Sequence, residues 1–284
     1  MKYTVDDIDI YIMTHNRADY LMLSIESLLN QSAGVSKITV LDNESTDNTL
    51  SAVERFSSRG VRYIRTKGFL GNFKKAQEIA SGKYVMLFHD DDILHPLYLE
   101  LALQVLNEKD DISLITTRYT EFFDDDFPGM PESIVPDYYY FEKQKDFASH
   151  MYFLERIAYA TALYRTVDFK KTAIEYEKFN KFNDWPFLVK MSGYGNTVLF
   201  DDPSLFYIRR HKGQDTWTST NTPSVQQDRE RYSKEELLKL ARKRGINTWG
   251  SCIYCKYRCK NKTQCKRQDF IRQLILKGKT KLEA

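Results

Sequence analysis

Residues 83–96, KYVMLFHDDDILHP, join a run of apolar side chains to an abrupt block of acid. Tyr84, Val85, Met86, Leu87 and Phe88 read as a strand buried on both faces. His89, Asp90, Asp91 and Asp92 follow without a spacer. Three adjacent carboxylates at the end of such a strand are costly unless water, a cation or another partner meets them. In parallel α/β sheets ligands sit just beyond the carboxyl ends of the strands. The chemistry this predicts is binding of a hard, oxygen-liking cation, Mg²⁺ or Mn²⁺. The competing reading is a solvated acidic turn. A second triplet, Asp124 to Asp126, lies in the acidic, aromatic, proline-bearing stretch 119–141. With no strand expected to lead into it, it reads as a solvated turn.

The other cluster with chemical potential is Cys252, Cys255, Cys259 and Cys265, spaced C-x2-C-x3-C-x5-C. Four thiols at this spacing read as a Cys₄ zinc site, with an iron–sulfur cluster second and disulfides or unligated thiols as the rest. A structural metal would let a small segment with few large apolar residues fold. Lys256, Arg258, Lys260, Lys262, Lys266 and Arg267 surround these thiols, a pattern suited to anionic lipid headgroups or to an ordinary solvated surface. The charge balance is uneven. Residues 225–284 hold 17 Lys+Arg against 6 Asp+Glu, or +11, whereas the rest holds 25 against 33, or −8. An acidic body with a basic tail points to an anionic partner for the tail.

The elements that must position the acidic turn alternate. Asp9–Thr14 reads as a strand, Ala18–Gln31 as a helix, and Lys37–Leu41 as a buried strand. Ser45 or Thr46 is placed to cap a helix carrying Leu50, Val53 and Phe56 on one face. Val61–Arg65 is a third strand, and Gly71–Ala80 a helix closed by Gly82 in the left-handed position. Pro96 suits the first turn of a helix to about Leu106. Ile112–Thr117 is another strand. Asp146–Leu154 reads as a helix, Ile157–Tyr164 as a strand, 182–188 as a short helix capped by Asn183 or Asp184, and Ser204–Arg209 as a late strand. Residues 212–224 read as a mobile loop or linker, and Ser233–Lys243 and Arg267–Lys277 as basic helices.

This order predicts βαβ units and a mostly parallel sheet. It sets Thr14-His15-Asn16, Asp42-Asn43 and His89 to Asp92 along one rim, where a nucleotide site belongs. Neither G-x-G-x-x-G after the first strand nor G-x-x-x-x-G-K-[ST] is present, which argues against a dinucleotide or P-loop site. No run approaches about 18 apolar residues, so no spanning helix is expected. The opening residues do not read as a secretory signal. With no cysteine in the body, the expectation is a cytoplasmic protein, peripheral on the inner face of the membrane if the tail docks there.

Three segments together resemble glycosyltransferase family 2: IYIMTHNRADYLMLSIESLLNQS, ITVLDNESTDNT and GNFKKAQEIASGKYVMLFHDDDILHP. The likeness is dense over about residues 8–118, looser over 155–212 and absent after about 225. It implies an inverting enzyme of the GT-A fold over residues 1–222, a Rossmann-like, mostly parallel sheet with helices on both faces. Residues 223–284 would form a small helical, cysteine-bearing extension. It further implies a nucleotide-sugar donor, of UDP type, and a glycan or lipid-linked acceptor in surface polysaccharide synthesis. No nucleic acid is expected. The rival reading keeps the body as a non-catalytic sugar-nucleotide binder, with the tail as a nucleic-acid or partner-binding zinc module.

Residue by residue, the resemblance sets Thr14, Asn16 and Arg17 against the nucleotide and Asp42 on the base. Asn43 stands where a second Asp is common. His89 replaces the usual first Asp of the acidic motif. Asp91 is then the metal ligand, with Asp92 and His211 beside it, and Asp90 reaches the ribose or the metal's water shell. Asp92 is also expected to hold the turn. Arg209 and His211 match an element that meets pyrophosphate or metal. Asp184, at a helix start, matches the general base that takes the acceptor's proton; a plain helix cap is its alternative. His15, Glu121 and Tyr138 to Tyr140 read as packing or surface.

Overall fold

The computed structural model describes residues 2–68, 70–124, 126–154, 157–179, 183–212, 214 and 279–281. Among the described residues, twelve strands fall into two sheets. The strands are β1 (Ile8–Thr14), β2 (Ile38–Asn43), β3 (Arg62–Thr66), β4 (Tyr84–His89), β5 (Ile93–Leu94), β6 (Ile112–Thr117), β7 (Thr120–Phe123), β8 (Asp137–Phe141), β9 (Leu163–Arg165), β10 (Asn196–Phe200), β11 (Phe206–Arg210) and β12 (Lys279–Lys281). The helices are α1 (Ala18–Leu29), α2 (Thr49–Glu54), α3 (Gly71–Ile79), α4 (Tyr98–Glu108), α5 (Gln144–Leu154), α6 (Thr166–Lys171), α7 (Tyr176–Phe179) and α8 (Asp184–Met191).

The large sheet has the order β12-β8-β10-β6-β9-β4-β1-β2-β3. Seven of its nine strands run one way, and β8 and β9 run against them. Its centre follows from composition. Val85, Met86, Leu87 and Phe88 of β4 are all fully buried. Met86 and Phe88 join one core with Leu21 and Ile25 of α1 and Leu99 of α4. Val85 and Leu87 join the other with Phe73 of α3, Phe169 of α6 and Phe187 of α8. Helices therefore cover both faces, and each buried Leu or Phe contributes about 1.5–3 kcal/mol relative to exposure. The parallel register sets Thr14 opposite Asp42, Met13 opposite His89 and Asn43 opposite Thr66. The polar strand ends thus share one rim.

The second sheet, β5-β11-β7, has a different task. β5 begins immediately after the acidic turn and pairs with β11, so Arg209 to His211 return to that turn. β7 leads directly into Asp124, contrary to the expectation that no strand precedes the second triplet.

Several local expectations change. α2 starts at Thr49, and Asn48 precedes it without a side-chain cap. Ser45 instead donates its hydroxyl to Asp42, and Leu50 is 45% exposed. Gly82 does not take a left-handed conformation. A Cβ there would lie 2.6 Å from the Asp7 carbonyl, and the Gly82 N–H donates to the buried Asp9 carboxylate at 2.8 Å. Close approach, rather than backbone freedom, demands glycine here. Pro96 lies just outside α4. Ile157 makes only an isolated bridge to Arg118, and the strand proper is β9. Ser204 sits in a 3₁₀ turn before β11. Lys279–Lys281 pairs with β8 at the edge of the large sheet, so part of the expected separate extension rejoins the body. The two basic helices expected in that extension lie outside the described residues.

Candidate active site

The acidic turn is buried. The side chains of Asp90, Asp91 and Asp92 are 1%, 4% and 1% exposed. Each is met differently. Asp90 accepts from Arg17 at 2.9 Å. Asp91 Oδ2 accepts from Gln214 Nε2 at 2.8 Å, lies 3.1 Å from His211 Nε2, and has Arg17 Nη1 at 3.5 Å. Asp92 Oδ1 accepts from the Arg209 N–H at 3.1 Å, and its carbonyl accepts from Ser24 Oγ at 2.7 Å. Asp92 Oδ2 is buried, takes no hydrogen bond, and faces His89 Nδ1 at 3.6 Å.

The protonation states follow from these neighbours. Burial would raise Asp91, but the His211 contact, the His89 and Arg17 charges and the Gln214 amide overcome it and hold Asp91 at about 2. Burial and the Asp91 charge push Asp92 up to about 6, against the pull of His89. Burial also raises Asp90, against the Arg17 charge. Desolvation pulls His89 down; Asp92, Asp91 and Asp184 outweigh it and raise the imidazole to about 9. The His89 side chain is 40% exposed, so its desolvation is partial and the carboxylates dominate.

Three residues expected at the donor or the ion, Asp90, Arg17 and Arg209, make their contacts within the turn. Asp90, expected at the ribose or the metal's water shell, is instead buried in an ion pair with Arg17. Arg17 is correspondingly turned onto the acids rather than held free for the nucleotide. Arg209, expected at pyrophosphate, is 2% exposed. Its Nε donates to the Asp91 carbonyl at 3.2 Å and its Nη1 to the Asp124 carbonyl, while the guanidinium lies between the Tyr20 and Phe122 rings at 4.9 and 4.6 Å. It braces the turn. Asp92 holds the turn through Oδ1, as expected, and leaves Oδ2 to the cluster. One atom each of His89, Asp91 and Asp92 lies within 4.8 Å of the others. These groups fit a divalent ion: two buried carboxylates, one with an orphaned oxygen, and His211 already against Asp91.

Along the rim, Thr14 is buried and its carbonyl accepts from Asn72 at 3.3 Å. Asn16 adopts a left-handed conformation (φ 54°). Its Oδ1 accepts from the Thr46 N–H at 2.7 Å, which knits the first two rim loops together. Asp42 is 1% exposed and accepts from Tyr63 Oη at 2.6 Å and from the Ser45 N–H at 3.0 Å. Asn43 Oδ1 is buried without a hydrogen bond, and the Asn43 carbonyl lies 2.7 Å from His15 Nδ1. A concavity of about 450 Å³ opens at the ends of β2 and β3, with Arg65, Lys67, Gly71 and Lys74 among its walls.

Asp184 is the first residue of α8 and is exposed. Asn183 precedes it at the cap position without a side-chain cap bond. The Asp184 charge raises His89, and with burial it raises Tyr159, so the carboxylate stands on the His89–Tyr159 side of the turn. His89 and Tyr159 have ring centroids 6.5 Å apart, and Tyr159 packs on Phe187 of α8. The charges of two acids on separate elements, Asp91 and Asp184, thereby act on one imidazole.

Sequence reasoning missed three contributors. Gln214 lies in a run read as linker, and only its place three residues after His211 signals it. Tyr20 reads as an ordinary apolar helix position, yet its ring meets His211 at 4.5 Å. Tyr63 reads as strand filler, yet it binds Asp42. Of the residues expected at the surface, Glu121 pairs with Arg210. Asp124 and Asp126 are exposed as expected. Cys252, Cys255, Cys259 and Cys265 lie outside the described residues.

Comparisons with known proteins converge on one class. The family model described as glycosyl transferase family 2 matches residues 9–170. An uncharacterized glycosyltransferase of Rickettsia prowazekii, RP339, is 23% identical over 239 residues, covering 82% of this chain and 74% of the relative. Chondroitin synthase of Escherichia coli is 31% identical over 111 residues, 38% of this chain and 16% of that protein. Among solved structures, Staphylococcus aureus TarS 1-349 in complex with UDP-GlcNAc aligns with a TM-score of 0.56 at 18% identity, covering 78% of this chain and 64% of that one. That last likeness shows a shared fold.

Proposed function

The chain belongs to glycosyltransferase family 2, and on that premise we propose that it transfers a sugar, with inversion, from a nucleotide diphosphate donor of the UDP class to a glycan or lipid-linked acceptor in surface polysaccharide synthesis. The observation that carries this reading is the pairing of a buried acid cluster at the end of β4 with a solvent-facing acid, Asp184, at the start of α8. A single displacement needs one group at the leaving phosphate and another at the attacking hydroxyl, on different elements. The same-fold structure with UDP-GlcNAc and the polysaccharide synthase among the relatives support the donor and product classes.

In this reading Asp184 accepts the proton of the acceptor hydroxyl. The hydroxyl oxygen bonds to the anomeric carbon from the face opposite the diphosphate, the bond from that carbon to the phosphate oxygen breaks, and configuration inverts. The α8 N-terminus favours the ionised carboxylate that must do this. Asp91 and Asp92 would hold a divalent ion, Mn²⁺ or Mg²⁺, with His211 steadying Asp91 beside it; when bound, the ion would stabilise the charge left on the diphosphate. Asp42 and Asn43 face the base, and Thr14, Asn16 and Arg17 line its approach. For the extension we propose a zinc site at the four cysteines and docking on an anionic inner membrane surface. One equivalent of zinc in the purified full chain would support the first.

The test is a thermal-shift panel of nucleotide sugars with and without Mn²⁺, followed by Asp184→Asn. The reading expects ion-dependent stabilisation by a UDP-sugar. It also expects turnover in Asp184→Asn to fall by about 10²–10⁴-fold with donor binding retained. Turnover retained in Asp184→Asn contradicts the assignment of the base.

A further inference from the structure

We propose that His89 is itself a ligand of the divalent ion, completing a set of one imidazole and two carboxylates with Asp91 and Asp92, and that this nitrogen makes the site select Mn²⁺ over Mg²⁺. The inference rests on the reading above that the turn holds a divalent ion.

The first support is the orphaned oxygen. Asp92 Oδ2 is buried and takes no hydrogen bond, while Oδ1 of the same carboxylate is already spent on the Arg209 N–H. A buried carboxylate oxygen without a donor is costly, and a cation is the partner that removes the cost. The second is where that oxygen faces. His89 Nδ1 lies 3.6 Å away, beyond good hydrogen-bond geometry. One atom each of His89, Asp91 and Asp92 falls within a 4.8 Å span. Two ligands on opposite sides of one such ion stand about 4.2 Å apart, so the observed span is close to that of a loaded site.

The third support is access. Asp91 and Asp92 are 4% and 1% exposed, whereas His89 is 40% exposed. Arg209 and its aromatic neighbours close the side of the turn beneath β11. The imidazole therefore stands at the open side, where the ion and its remaining ligands enter.

The consequence is chemical. Mg²⁺ demands a near-ideal octahedron of oxygens and keeps several waters. Imidazole suits the later divalent transition metals best, and Mn²⁺, the first of that series and softer than Mg²⁺, tolerates it better than Mg²⁺ does, while carboxylates accept both. A set whose most exposed member is a nitrogen ligand shifts the balance toward Mn²⁺. Replacing His89 by the acid usual at this position in the resembled family restores an all-oxygen set, which makes His89→Asp the informative change.

The experiment uses the full chain, first treated with chelator, titrated with Mn²⁺ and with Mg²⁺ by calorimetry without nucleotide. Pulsed electron paramagnetic resonance of the Mn²⁺ complex is recorded alongside. Wild type should bind Mn²⁺ about tenfold or more tighter than Mg²⁺, and His89→Asp should reduce that ratio to about threefold or less. A nitrogen coupling to Mn²⁺ should persist in His211→Ala and vanish in His89→Asp. Thermal melting controls for folding, and His89→Asn, which cannot supply the imidazole, should lose the same coupling. A Mn²⁺/Mg²⁺ ratio unchanged in His89→Asp, or a nitrogen coupling that survives it, overturns the proposal. If wild type binds no Mn²⁺, or if Asp91→Asn binds it as wild type does, the ion-site reading itself is wrong. Binding lost in Asp91→Asn but indifferent to His89→Asp overturns only the role of His89.

Discussion

The chain writes the same three letters twice, at Asp90 to Asp92 and at Asp124 to Asp126; the first run is buried, and Asp124 and Asp126 of the second are exposed. Both follow a strand. β4 lies at the centre of the large sheet with its apolar residues fully buried, so the carboxylates that follow it are drawn below the surface. β7 is an edge strand of the small sheet; Phe123 is 61% exposed, and Asp124 and Asp126 after it remain in solvent. The first triplet must then be met by Arg17, His211, Gln214 and the Arg209 backbone. The second contributes a backbone oxygen, the Asp124 carbonyl that accepts from Arg209. An acid run becomes a site when a buried strand delivers it where counter-groups from distant segments converge. Arg209, touching the carbonyls of Asp91 and Asp124, ties the two runs together.

The contrast can be broken most sharply by truncating one acid from each. Asp91→Ala should lower transfer by about 10²–10³-fold or more, because several kcal/mol of charge stabilisation go with the ion. Asp124→Ala keeps the carbonyl that Arg209 uses and should stay within about twofold of wild type, as surface changes do. Comparable losses in the two variants would erase the distinction.

A middle-sized effect lies in the pH dependence of stability. The folded His89 pKa, about 9, stands above its ordinary value of 6.5. An imidazole with a raised folded value contributes stability fully below pH 6.5 and loses it as pH rises through 9. Melting of wild type and His89→Ala in chelator should therefore differ most near pH 6 and converge above pH 9. A difference that does not narrow over that window would show that His89 is not held as a cation by the acids. No matching window is expected for substitutions around Asp124.

The smallest effect concerns Gln214. Its amide donates to the Asp91 oxygen that an ion would use, and one such hydrogen bond is worth about 0.5–1.5 kcal/mol. Gln214→Ala should tighten Mn²⁺ binding about two- to tenfold by removing the competitor. Weaker binding would instead make Gln214 part of the ion's support.

Much of this was legible in the chain. The switch from Phe88 to His89 is a local signal, and local signals survive folding: β4, the shared rim and the two-faced helix cover all follow from it. The alternation of apolar runs and helical periodicity carried the strands β1, β2, β3, β4 and β6 and the helices between them in chain order. The contacts that make the turn a site were not legible in the same way. Gln214 reaches Asp91 across more than a hundred residues, and the orphaned Asp92 oxygen exists only because Arg209 takes the other one. No periodicity announces either. Gly82 was misread because glycine has two uses, and only the Asp7 carbonyl 2.6 Å from its absent Cβ tells which applies. Ser45 was misread as a cap because a hydroxyl near a helix start looks the same whether it serves the helix or a carboxylate beside it.

The measurement that bears most directly on the acidic turn as the donor's cation site is calorimetry of UDP binding to the full chain, with and without Mn²⁺, in wild type and Asp91→Asn. The account predicts UDP binding that requires the ion and disappears in Asp91→Asn while the variant still melts cooperatively as a folded protein. UDP binding of equal strength without the ion, or unchanged ion-dependent binding in Asp91→Asn, would contradict it.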